Sequence, residues 1–90
     1  MKKTIEIEYV GFEDVLQILE YSRAVMSRGH YVNFSISNTE GIPLVCVKIM
    51  IDGFVVSGKY DYSYEFYMSD KENDVNTMNN CKSMLRNLLV

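Results

Sequence analysis

The side chains able to do covalent or acid–base chemistry are few and scattered. His30 is the single histidine, and Cys46 and Cys81 are the two cysteines. A cysteine nucleophile needs a base within hydrogen-bond reach. His30 falls where a helix gives way to a strand, with Cys46 expected toward the opposite end of the sheet and Ser35 as its strand neighbour. A histidine at the negative end of a helix dipole reads as a cap. The cysteines lie far apart among apolar neighbours and read as reduced, buried thiols. Zinc would need more ligands at closer spacing. Carboxylates recur at Glu6 and Glu8 and at Asp61 and Glu65, where a spacing of two or four along a strand makes a solvated face. The five glycines, at 11, 29, 41, 53 and 58, are scattered turn and cap positions rather than a phosphate loop. The expectation is a non-enzymatic protein with no metal and no cofactor.

Residues suited to recognition are more plentiful. Tyr60, Tyr62, Tyr64 and Tyr67 crowd one segment and could stack bases. Asp61 and Glu65 stand between them, however, and a net charge of −3 leaves no basic cluster beyond Lys2 and Lys3. Nucleic-acid binding rests on clustered Lys and Arg, so direct binding is disfavoured. The even-numbered tyrosines share a face with Phe54 and Phe66 and read as core. Two surfaces remain as candidates. One is an open sheet face bearing Tyr31, Lys48, Met50, Val55, Asp61, Glu65 and Tyr67, with the apolar and tyrosine content typical of interfaces. The other is an acidic run, Glu65, Asp70, Glu72 and Asp74, around the start of the last helix. Such a run suits a protein partner with a basic, nucleic-acid-binding groove.

The elements that would position these residues follow from periodicity. Residues 4–10 alternate with Ile5, Ile7 and Tyr9 on one side, a short strand. From Phe12 the period becomes helical, with Phe12, Val15, Leu16, Leu19, Arg23 and Met26 on one stripe. Glu13 and Asp14 in the first turn and Arg28 in the last suit the dipole, and Gly29 suits the C′ position. Tyr31–Ser37 alternates as a second strand. Residues 38–43 form a turn-rich link, and the apolar run 44–51 reads as the central strand. Asp52-Gly53 signals a two-residue type I′ hairpin. That turn would set Ile51 opposite Phe54, Ile49 opposite Val56 and Val45 opposite Tyr60. The partner strand would then run unbroken from Phe54 to Met68, with Gly58 as a bend. Ser69 and Glu72 fit a capping box. The helix they open carries Val75, Met78, Cys81, Lys82, Leu85, Leu88 and Leu89 near one stripe.

The order β-α-β-β-β-α predicts an α+β two-layer sandwich, a mainly antiparallel sheet with two helices on one face. Ninety residues, 48% hydrophobic with one proline, make a single domain over 1–90. Two lysines open the chain but Glu6 and Glu8 interrupt any apolar core of a signal peptide. No run approaches the roughly 18 apolar residues of a membrane span. The expectation is a soluble, cytoplasmic protein without a membrane partner. The helix–three strands–helix segment resembles a double-stranded-RNA-binding domain in topology only. Its final helix opens with Ser69-Asp70-Lys71-Glu72-Asn73-Asp74 where that family carries a lysine cluster, so the charge has the wrong sign. In size, charge and architecture the chain also resembles phage-encoded inhibitors of host defence, anti-CRISPR proteins among them, and toxin-immunity proteins. No motif carries that resemblance. It implies an inhibitor or adaptor that occupies a basic groove on another macromolecule. The alternatives are a homo-oligomeric structural or scaffold domain, such as a homo-dimer, that buries the open sheet face, and nucleic-acid binding through the tyrosine strand.

Overall fold

A computed structural model of the protein describes residues 8–38 and 40–90. The elements run α1 (Phe12–Ser27), β1 (Tyr31–Ser37), β2 (Leu44–Met50), β3 (Tyr62–Tyr67) and α2 (Glu72–Asn87). The three strands form an antiparallel sheet in the order β1-β2-β3, so the fold is α+β with the expected central strand in the middle. Most of the strand expected over residues 4–10 lies outside the described residues. Its described end, 8–10, belongs to no strand, and the Val10 N–H donates to the Ser69 carbonyl at 2.8 Å.

α1 begins where the Asp14 carboxylate, in the first turn, accepts the Gly11 N–H at 2.9 Å. It ends at Arg28, after which Gly29 takes φ +93° and donates to the Met26 carbonyl, the terminator expected there. The buried seam is Val15, Ile18, Ser22 and Val25. That corrects the expected stripe: Phe12 is 68% exposed, and Leu16, Leu19 and Met26 are 43–45% exposed. Apolar residues cover about half the circumference of α1, so two seams compete, and the polar Ser22 disguises the one the sheet selects.

The Asp52-Gly53 signal is half realised. Both residues adopt positive φ, +65° and +114°, as a type I′ turn requires. The flanking strands nevertheless do not close on that turn. β2 pairs with β3 as Ile49↔Tyr62, Val47↔Tyr64 and Val45↔Phe66, six residues beyond the expected register. The 15-residue strand shrinks to β3, and residues 51–61 become a loop. Gly58 marks a turn in it: its N–H donates to the Val55 carbonyl at 2.9 Å, and a Cβ there would meet that oxygen and the Val55 Cβ at 2.9 Å. Because the slip is even, β2 and β3 keep the expected faces. Val45, Val47, Ile49 and Phe66 pack with the buried residues of both helices, while Cys46, Lys48 and Glu65 look the other way. Tyr60, no longer in a strand, leaves the core face assigned to it. Tyr62 is 38% exposed, and Tyr64 alone of the three tyrosines packs against the core.

The capping box expected at Ser69 and Glu72 does not form either. The helix starts at Glu72, after Lys71, which makes no side-chain cap. Glu72 is therefore the first helical residue and cannot reach back. Asp74, two residues on, does so instead: it accepts the Tyr67 N–H at 3.0 Å and the Ser69 hydroxyl at 2.6 Å. Val75, Met78, Cys81 and Leu85 form the buried stripe of α2, as its spacing predicts. Lys82 reaches Asp14 at 2.6 Å and ties the helices together.

Candidate protein-binding surface

On the face of the sheet away from the shared core, the strand partners are Tyr31↔Met50, Asn33↔Lys48, Ser35↔Cys46, Cys46↔Glu65 and Leu44↔Tyr67. The 51–61 loop folds over one end of this face and is pinned there by several bonds. Asp61 accepts the Ile51 N–H at 2.7 Å, and its own N–H donates to the Ile49 carbonyl at 2.8 Å. His30 Nδ1 accepts the Asp52 N–H at 3.0 Å, so the histidine braces the loop. Met50 Sδ receives the Val55 N–H at 3.4 Å. The Tyr31 ring lies 5.0 Å from Phe54 and stacks at 6.4 Å with Tyr60, whose face carries the Lys48 ammonium at 5.3 Å.

The outcome is a braced apolar tip. Phe54 is 57%, Val55 61% and Val56 79% exposed, three apolar residues in a row. Of the residues expected to meet a partner, Tyr31, Lys48, Val55 and Asp61 gather around this loop. Met50 lies beneath it at 4% exposure and is a support, not a contact. Tyr67 sits at the far end of the face, 42% exposed, beside a shallow cavity of about 210 Å³ lined also by Glu40, Ile42, Ser69, Lys71 and Asp74. Glu65, Asp70 and Glu72 are exposed, whereas Asp74 is buried and spent on the Tyr67 and Ser69 bonds. The acids do not form one patch. Asp61 and Asp70 flank opposite ends of β3, about 20 Å apart along the strand. Sequence reasoning missed Phe54, Val56 and Tyr60 as surface groups, because the assumed hairpin register buried them.

Both thiols are held toward their protonated form. Burial, then the neighbouring Glu65 charge, pushes the Cys46 thiol up. Burial alone pushes Cys81 up to about 12. Cys46 Sγ lies 3.8 Å from the Glu65 carboxylate, which disfavours a thiolate further. Among the described residues no three His, Cys, Asp or Glu side chains gather as a metal site, and no helix is long and apolar enough to cross a membrane. Compared with family models, curated proteins and solved structures, the chain matches none.

Proposed function

We propose that the protein is a small, non-enzymatic binding protein that docks onto another protein through the 51–61 loop and the open face of its sheet. The observation that carries this reading is the Phe54-Val55-Val56 tip: consecutive apolar side chains held in water by a loop that four hydrogen bonds brace. Exposed apolar groups rimmed by polar ones mark interaction sites, and a braced loop loses little entropy on docking. In this reading the molecule is a two-layer sandwich, with the helices backing the sheet and the other face left for the partner. Asp61 and Glu65 at that face, with Asp70 and Glu72 beyond the end of β3, leave separate acidic groups that suit a partner with a basic groove, as an inhibitor of the phage type would need.

Affinity capture from the native host with the unmutated chain and with a Val55→Asp/Val56→Asp variant tests the proposal. A stoichiometric protein partner held by the first and lost by the second supports it. Equal capture by both, or no partner for either, refutes it. Reversing Glu65, Asp70 and Glu72 to lysine, which leaves the loop anchor Asp61 in place, tests the charge component separately. Affinity for the captured partner should fall, more at low salt than at high, with the fold intact.

A further inference from the structure

The margin of the molecule formed by α1 and β1 carries a second unpartnered surface, distinct from the 51–61 loop. Among the described residues β1 is bonded on one side only, at the edge of the sheet. Edge strands are normally blunted by charge, proline or a bulge. Tyr31–Ser37 has no charged residue and no proline, and pairs with β2 residue for residue over its whole length. Ile36 on this strand is 49% exposed.

α1 packs against both β1 and α2. The Asp14–Lys82 ion pair fixes the flank of α1 that faces α2. At about 100° per residue, Phe12, Leu16, Leu19 and Met26 fall on the opposite flank, beyond the buried Val15–Ser22 seam. They therefore project past the β1 edge, where their exposure is 43–68%. Helix stripe and strand edge thus lie along the same margin of the molecule, with Arg23 within the stripe.

We propose that this margin binds a second copy of the chain: β1 pairs antiparallel with β1 of the second copy, and the two α1 helices cross antiparallel over the joined sheets. One two-fold axis satisfies both contacts. Passing it through Phe34, the middle of β1, sets Val32 opposite Ile36, Asn33 opposite Ser35 and Tyr31 opposite Ser37 of the second copy. Apolar then meets apolar and polar meets polar, on each face in turn. Phe34 lies about 10 Å along the strand from Tyr31. The same distance back along α1 from Ser27 is about seven residues, near Leu19 and Glu20. An axis at Leu19 sets it against its own copy and Phe12 against Met26. Charge agrees: Glu13 lies in the first turn of α1 and Arg23 and Arg28 near its end, so antiparallel helices bring acid beside base.

Mass measurement of the full chain in solution over a range of concentrations tests this. The unmutated protein should show twice the mass of the 90-residue chain. Leu19→Lys and Ile36→Lys, both at exposed sites, should give monomers with unchanged circular dichroism. Arg23→Glu should raise the dimer dissociation constant roughly tenfold, because two symmetric ion pairs become repulsions. Adding Glu13→Arg to it should restore most of the affinity. The Val55→Asp/Val56→Asp variant should remain dimeric, which separates this surface from the one proposed above. An unmutated chain that stays monomeric at high concentration overturns the proposal. So does a dimer that survives Leu19→Lys and Ile36→Lys, or one lost in the loop variant.

Discussion

Asp74 is the acid whose removal should matter most to the fold. Its carboxylate accepts the Tyr67 N–H at 3.0 Å and the Ser69 hydroxyl at 2.6 Å, and only 9% of the residue is exposed. Ser69 in turn accepts the Lys71 N–H at 3.2 Å, and its carbonyl takes the Val10 N–H. One side chain thus fastens the end of β3, the start of α2 and the segment before α1. Asp74→Ala removes two hydrogen bonds to a charged acceptor and leaves the Tyr67 N–H without its partner. Hydrogen bonds to charged groups contribute about 1.5–3 kcal/mol each, and their losses at one site are less than additive. A carboxylate in the first helical turn adds about 0.3–1 kcal/mol. The expected net loss is about 3 kcal/mol. A domain of this size holds roughly 5–13 kcal/mol in total. Urea denaturation followed by far-ultraviolet circular dichroism should therefore show a much lower midpoint with an unchanged slope. The thermal midpoint should fall by roughly 12–24 °C. Asp74→Asn keeps one acceptor and should lose about half as much. Asp70→Lys, exposed and outside the helix, should stay within about 0.5 kcal/mol, and Glu72→Lys, in the first turn of α2, should lose about 1 kcal/mol at most. A loss below about 0.5 kcal/mol for Asp74→Ala would refute the reasoning and return Asp74 to the surface acids.

Three further outcomes follow from the same packing. Ser22 is wholly buried and its hydroxyl has no partner, so Ser22→Ala should raise stability by about 1 kcal/mol in the same urea assay. Glu65→Cys should form a disulfide with Cys46, its direct cross-strand partner, whereas Lys59→Cys, opposite Cys46 in the hairpin register, should not; mass spectrometry of the oxidised proteins separates the two. Burial raises the Asp14 carboxyl, but the bond from Lys82, the Gly11 N–H and the Lys82 charge outweigh it and hold the group below its ordinary value of 3.8. A lowered native value means the unfolded chain takes up the proton first. The Asp14 contribution is thus fully present above 3.8 and is lost as the pH falls through the lowered value; Lys82→Met should flatten stability across that acid window.

The elements themselves were legible because each has a local cause. Glycine at position 29 can only end a helix that the preceding period of 3.6 demands, and the apolar run 44–50 can only be the strand buried between two others. What could not be read locally was the choice among near-equal alternatives. α1 offers two apolar stripes offset by less than a right angle, and the decision belongs to the sheet, which accepts the seam containing the small Ser22. Asp52 and Gly53 favour positive φ whether or not strands close on them. Their local preference was satisfied while the pairing slid by six residues. The energy that moved it is non-local: the observed register buries Phe66 completely against Val45 and lets Asp61 accept the Ile51 N–H.

That slip also sets which side chains the proposed docking surface can use. A hairpin closing at Asp52-Gly53 would have spent Phe54, Val56 and Tyr60 on the core and left a plain sheet face outside. Sliding by an even number kept every β2 and β3 side chain on its expected face, so Lys48, Glu65 and Tyr67 stayed where the sequence placed them. It also released eleven residues, 51–61, into a loop, and that loop carries the apolar tip. Burying those side chains in a longer hairpin was open to this sequence, since its alternation allows it. The fold instead uses Asp61, His30 and Met50 to hold the loop in place while Phe54, Val55 and Val56 remain in water. Exposed apolar groups rimmed by polar ones are the feature on which the proposed docking surface rests.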